Sequence, residues 1–314
     1  MTIHRVLRRM ARVVCLFAYA FVLCLTPRLA MACACGCGVF DVGTASLFPG
    51  CKVGTAFFEF SEMNQDRNWS GTSRAPAADN DDKEIQTQFY TLGGQYMFSR
   101  SWGVMAQLPL DHRDFTTDGG AGVQTFHHTA FGDLMVTGVY TGLSKDMSTG
   151  LIFGLKLPTG DFRYPGFDRD TETGTGTVDS VLGAYHLGAL TKSADWTYFA
   201  QIKWQHALDD REGYRPGDEF DGAAGVYFEP GQTSDRLRLV PLLQLIASHR
   251  NRDSGSQADP HNSGYSRLLI APGLEAKARA WTLYGDVEFP IYQRMNGDQL
   301  VAPALFKVVL SRSF

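Results

Sequence analysis

Residues 281–292 read WTLYGDVEFPIY. Trp281, Leu283, Val287, Phe289 and Ile291 fall on one face of an extended chain, and Thr282, Tyr284, Asp286, Glu288 and Tyr292 on the other. Successive side chains of a strand point to opposite sides, so this segment is a strand with one oily and one wet face. The pattern repeats upstream. In 267–278, Leu268, Ile270, Leu274 and Ala276 alternate with Arg267, Leu269, Glu275 and Lys277. In 198–206, Tyr198, Ala200, Ile202 and Trp204 alternate with Phe199, Gln201, Lys203 and Gln205.

Extending this reading predicts strands at 52–63, 84–98, 102–116, 129–143, 149–159, 176–190, 197–208, 220–229, 236–250, 265–278, 281–293 and 301–314. The gaps sort by parity. Those at 64–83, 117–128, 160–175, 209–219, 251–264 and 294–300 are long, and those at 99–101, 144–148, 191–196, 230–235 and 279–280 are short. Long external loops and short periplasmic turns mark an outer-membrane barrel. A non-helical chain in hydrocarbon must close its sheet, because unpaired N–H and C=O groups find no water there. The expectation is therefore a twelve-stranded antiparallel transmembrane outer-membrane β-barrel over 52–314, apolar toward lipid and polar toward the lumen.

The last strand agrees: Phe306, Val308 and Leu310 alternate toward a terminal Phe314, with Arg312 departing from the apolar pattern. This ending resembles the signal by which the barrel-assembly machinery recognises its clients. Trp102, Trp196, Tyr198, Phe228, Tyr265 and Trp281 stand near strand ends, where interfacial aromatic girdles form. Pro109, Pro158, Pro241, Pro272, Pro290 and Pro303 fall inside the proposed strands and are expected at rims or bulges, since proline lacks a ladder donor.

The N-terminus carries Arg5, Arg8, Arg9 and Arg12, then an apolar run from Val13 to Leu25, then Ala30-Met31-Ala32. This is the layout of a secretory signal peptide over 1–32, cleaved before Cys33. Without it the chain holds 24 basic and 33 acidic residues, a net charge of −9 over 282 residues. An acidic exported chain is a poor nucleic-acid binder, because phosphate contact needs a Lys/Arg surface. The expected partners are outer-membrane lipid and a small-molecule solute.

Phe131-Gly132-Asp133-Leu134 opens one strand, and Gly154-Leu155-Lys156-Leu157-Pro158-Thr159-Gly160-Asp161 closes the next. Together they resemble the outer-membrane family of meta-pathway phenol-degradation proteins over roughly residues 100–314. The resemblance implies a barrel that passes small organic molecules, often aromatic ones.

Strand phase nominates lumen-lining residues of both charge signs: Glu59, Gln107, Asp133, Lys156, Gln201, Lys203, Gln205, Glu275, Lys277, Asp286 and Glu288. Charged rings give pores selectivity; mixed charges also close a lumen by pairing. The Cys-rich segment 33–51 offers Cys33, Cys35, Cys37 and Cys51. Export to an oxidising compartment favours disulfides there, with Cys37–Cys51 the preferred pair. Three thiols at alternate positions also suit a soft metal, Cu or Zn, or the docking of a periplasmic partner. Lipidation of Cys33 is a further reading. No other cofactor is indicated.

His127-His128 and the acidic loop residues, among them Asp168, Asp170 and Glu172, read as solvated loop positions. Catalysis would need a nucleophilic serine aligned with a histidine on the barrel wall. The sequence shows no such pairing, no G-x-S-x-G and no H-E-x-x-H. A passive channel follows as the expected function, with a plugged structural or metal-binding barrel as the alternative.

Overall fold

The computed structural model describes residues 32–33, 48–49, 54–118, 122–229 and 237–314. In chain order the strands are β1 (Ala32–Cys33), β2 (Gly54–Gln65), β3 (Arg67–Gly71), β4 (Ser73–Arg74), β5 (Asp82–Met97), β6 (Trp102–Asp118), β7 (Val123–Phe131), β8 (Leu134–Tyr140), β9 (Thr149–Leu157), β10 (Asp179–Ala189), β11 (Trp196–Ala207), β12 (Glu219–Phe228), β13 (Arg238–Arg250), β14 (Tyr265–Ala278), β15 (Trp281–Ala302) and β16 (Leu305–Ser313).

Antiparallel pairing runs β2-β5-β6-β8-β9-β10-β11-β12-β13-β14-β15-β16 and returns to β2, a closed barrel of twelve strands. β7 continues the line of β8 against the far half of β6, so these two segments form one stave interrupted at Gly132-Asp133. Closure leaves no sheet edge in the apolar band, as hydrocarbon requires.

The outward face carries the oily half of each alternation: Leu92 and Ile202 are both 64% exposed, and Phe306, Val308 and Leu310 point out from β16. Trp102, Trp281 and Phe314 ring the short-turn end on the same outer surface. Tyr265 departs from the girdle expectation. It faces inward at 2% exposure and donates its hydroxyl to Glu219 Oε1 at 2.9 Å. Tyr292 departs from its predicted phase because Leu268 pairs with Tyr292 and Leu269 with Pro290, leaving Ile291 as a bulge. Both Ile291 and Tyr292 then face outward.

The prolines sit where ladders stop. Pro158 and Pro303 follow strand ends, Pro290 adjoins the bulge, and Pro241 lies one residue beyond the last β12–β13 pair, Tyr227–Leu242. Pro109 and Pro272 fall in gaps of the β6–β7/β8 and β14–β15 registers.

Direct cross-strand pairs of glycine and an aromatic residue recur: Phe57–Gly93, Phe153–Gly138, Tyr185–Gly150, Tyr198–Gly188 and Phe199–Gly225. In each, a Cβ on the glycine would come within 2.9 Å of the ring. The ring lies flat over its partner strand, which fixes register as well as filling space.

The interior is not uniformly wet. Phe57, Phe199, Val240, Leu242, Ile246, Tyr284 and Val309 are buried inward-facing members of one apolar cluster. A twelve-stranded barrel is narrow enough for side chains to pack across it, so hydrophobic burial competes with hydration on the lumen side. Phe48 joins this cluster, stacked on Tyr185 at 4.6 Å between ring centroids.

Three long connections differ from expectation. Most of 117–128 is strand, because β6 and β7 rise as a paired ribbon to Asp118–Val123. Residues 294–300 belong to β15, which continues to Ala302 and takes β3 as a partner from within the 64–83 gap. β1 pairs with the end of the same segment, Ala32 with Ala302 and Cys33 with Val301.

Candidate functional site

The strand-phase residues fall into two groups. Glu59, Gln107, Asp133, Lys156, Lys203 and Gln205 line a central cavity of about 200 Å³. Its lysines are charge-compensated. Lys156 Nζ lies 3.1 Å from Asp133 Oδ2 and 2.9 Å from Asp179 Oδ2, and Lys203 Nζ lies 3.4 Å from Asp221 Oδ2. Gln205 donates to Asp179 at 2.7 Å, and Glu59 accepts from Ser61 at 3.2 Å. Gln201 is buried on the inward face of β11.

Glu275, Lys277, Asp286 and Glu288 lie on β14 and β15, outside the lining of that cavity. They are tied up in pairs: Lys277 with Glu275 at 3.0 Å and Glu229 at 3.3 Å, Glu288 with Lys307 at 3.4 Å, and Asp286 accepting from Gln244 at 2.8 Å. Desolvated like this, each charge holds its neighbour rather than facing water.

The cavity is roofed by the β9–β10 connection, residues 158–178, which folds inward instead of standing in solvent. Asp133 anchors it, accepting from Gly160 N at 2.9 Å, Thr175 N at 3.0 Å and Thr175 Oγ1 at 3.0 Å. Gly160 and Gly174 cross so closely that a Cβ on either would reach within 2.7 Å of the other's backbone. That close approach explains the glycine of the Pro158-Thr159-Gly160-Asp161 run. Arg113, fully buried on β6, donates to Thr87 Oγ1 at 3.0 Å, to the carbonyl of Thr171, and to that of Glu172 at 3.1 Å. His128 stacks on Tyr164 at 3.8 Å and pairs with Asp161 at 3.1 Å, pinning the outer part of the loop to β7. His127 points outward to Asp114 Oδ1 at 2.6 Å. Both histidines belong to β7 rather than to a solvated loop.

Above the roof lies a second cavity of about 820 Å³, lined by eight carboxylates and two guanidinium groups. Arg169, Asp170, Glu172 and Tyr214 line both cavities and so form the partition between them. Arg169 stacks over the rings of Phe162 and Tyr214, each at 4.7 Å, and donates to Thr175 O at 2.7 Å. Glu172 is only 6% exposed, and its Oε2 is buried without a hydrogen-bond partner. In the inner cavity Asp111, 4% exposed, likewise keeps a buried Oδ1 without a partner. Burial, with Asp161 nearby, pushes the Glu172 carboxyl up to about 7 against the opposing pull of a hydrogen bond from the Tyr164 main chain and of Arg169 and Arg113. Burial and the charges of Asp253 and Asp168 push Asp170 up to about 6.

Asp168 meets the expectation of a solvated loop position, exposed at the vestibule, whereas Asp170 and Glu172 depart from it. Only the tertiary course of 158–178 carries them inside, and no local period signals it. Arg113 was equally hidden, although its phase on β6 matches the inward set of Gln107 and Asp111. Cys35, Cys37 and Cys51 lie outside the described residues, as do residues 1–31 of the expected signal peptide; Cys33 is described only as part of β1.

A serine–histidine contact absent from the linear reading does form across strands. His249 Nδ1 lies 2.8 Å from Ser266 Oγ, and its Nε2 lies 3.3 Å from Asn251 Oδ1, on the outer wall. Ser266 is laddered on both sides, to His249 and to Arg294. The sheet there offers no pocket of free N–H groups for an oxyanion, which acyl transfer requires.

The architecture is that of an outer-membrane-type antiparallel barrel whose lumen is roofed by one of its own loops. Residues 71–234 match the family model described as "Putative MetA-pathway of phenol degradation", and the chain belongs to that family. No curated protein matches the sequence. Among solved structures, an outer membrane channel from Pseudomonas putida F1 superposes with a TM-score of 0.65 at 12% identity, covering 88% of this chain and 100% of its own. The β domain of the Bordetella autotransporter BrkA gives 0.52 at 12% identity, covering 84% and 100%. At these identities the likeness is one of fold.

Proposed function

We propose that this protein is an outer-membrane channel that passes a small organic solute, aromatic in character, by passive diffusion. The observation that carries the reading is the pair of cavities meeting at Arg169, Asp170, Glu172 and Tyr214 inside a closed barrel. An apolar outer belt with a polar, partly hollow interior is what a bilayer-spanning pathway needs. Membership of the phenol-degradation family favours an organic cargo, and the fold shared with a Pseudomonas putida outer membrane channel favours a conducting role. The apolar part of the inner chamber's lining, Phe89, Pro109 and Met135, suits an organic ring.

On this reading residues 1–32 direct export, and the β16 ending at Phe314 is what the barrel-assembly machinery engages. The lumen-facing set Glu59, Gln107, Asp133, Lys156, Lys203 and Gln205 shapes and wets the inner chamber. Planar bilayers containing the purified chain test it: stepwise currents are expected, and a silent, correctly folded barrel would overturn the reading.

A further inference from the structure

We propose that the partition is a cation-admitting filter, so that the charged solutes this channel accepts are organic ammonium ions and those it rejects are carboxylates and phenolates. The inference rests on the channel reading above and assigns it a charge class. Two independent observations carry it.

The first is where charge is left over. The lumen-facing lysines Lys156, Lys203, Lys277 and Lys307 are matched by carboxylates, and Arg250 of the inner cavity by Asp253, so these wall cations contribute little net field toward the path. The vestibule above the partition is different, with eight carboxylates against two guanidinium groups. One of those two, Arg163, is already paired outside with Glu212. The other, Arg169, has its faces covered by Phe162 and Tyr214. A recess walled by one sign of charge concentrates the opposite sign and turns back its own.

The second is unsatisfied chemistry on the path itself. Glu172 Oε2 at the partition and Asp111 Oδ1 in the chamber below are buried acceptors without hydrogen-bond partners. A buried acceptor left unpaired costs roughly 1–3 kcal/mol. An ammonium N–H passing between the chambers satisfies these oxygens in turn, whereas a carboxylate finds a single unpartnered donor there, Arg169 Nη1, set among the partition and vestibule carboxylates that repel it. Neutral aromatic solutes are unaffected by the field and pass by shape.

The test is the zero-current potential of the full-length protein in a planar bilayer under a tenfold KCl gradient. The expected cation-over-anion permeability ratio is above about 3 at pH 8, with tetramethylammonium chloride carrying cation current and sodium benzoate carrying little anion current. The double variant Glu172→Gln/Asp170→Asn is expected to lower that ratio about twofold or more. Asp168→Asn, which lines the vestibule alone, serves should the double variant not fold, and is expected to lower it less. A wild-type ratio near or below 1, or a ratio unchanged in folded variants, overturns the filter while leaving the channel intact. A silent bilayer overturns the channel reading, and the filter with it.

Discussion

Arg113 on β6 donates to the main-chain carbonyl of Glu172 at 3.1 Å, while the side chain of that same glutamate keeps a buried oxygen, Oε2, without a hydrogen-bond partner. One residue is thus gripped by its backbone and presents its carboxylate to the path. The grip is made from the barrel wall, so the roof is a part of the barrel and not a flap lying over it.

Removing the grip should loosen the roof. Arg113→Met leaves the carbonyls of Thr171 and Glu172 without their donor, at a cost of roughly 1–3 kcal/mol for each buried group. The expected outcome is an intact barrel with higher single-channel conductance and new protease cleavage within 158–178. Unchanged conductance together with protection of the loop would place the roof's support elsewhere.

The roof should also tighten in acid. The Glu172 carboxyl is raised from its ordinary 4.5 to about 7 in the packed loop. Its contribution to packing is therefore fully present below about 4.5 and is lost as pH rises through about 7. The groups facing it are Arg113 from β6, Tyr214 from the β11–β12 connection, and Asp161, Asp168, Arg169 and Asp170 from its own loop. The shift corresponds to roughly 3 kcal/mol. Amide hydrogens of 160–176, corrected for intrinsic exchange, are expected to exchange faster at pH 8 than at pH 5. The opposite order would contradict the assignment.

The two kinds of lysine should behave differently. Lys156, 8% exposed at its side chain, balances both Asp133 and Asp179, so Lys156→Met strands two buried carboxylates at a cost of about 3–5 kcal/mol. Lys277 is 27% exposed and its loss strands one buried carboxylate, Glu275, rather than two, so Lys277→Met is expected to cost less, about 1–3 kcal/mol. Urea unfolding followed by the heat-modifiable gel shift measures both. Equal effects would argue against the buried triad.

Gly150 lies beneath the Tyr185 ring, and a Cβ there would come within 2.4 Å of it. Gly150→Val is expected to displace Tyr185 and its stack on Phe48, destabilising the barrel by roughly 1–3 kcal/mol. A folded variant with wild-type unfolding midpoint would show that this cross-strand contact is dispensable.

The barrel was legible because a lipid-facing strand must alternate, and alternation is a local, period-two signal; residues 281–289 show it residue by residue. The inward placement of Gln107, Asp133, Lys156 and Lys203 followed from the same phase. What the sequence hid was non-local. Asp170 and Glu172 sit in a connection whose composition looks solvated, and only the anchors at Asp133 and Arg113 fold it into the lumen. Tyr292 was misplaced because a single bulge at Ile291 inverts the phase beyond it. The apolar interior around Val240, Leu242 and Ile246 is hidden because residues 239–247 of β13 are apolar on both faces except at Gln244 and carry little alternation to read.

Solute passage through this lumen is tested most directly by uptake into liposomes reconstituted with the purified chain, using a panel of small uncharged aromatic compounds, with protein-free liposomes as the reference. Entry faster than that reference, and faster again in Arg113→Met, is the predicted result. Uptake no faster than through bare lipid, by a barrel shown to be folded and inserted, would contradict a conducting role.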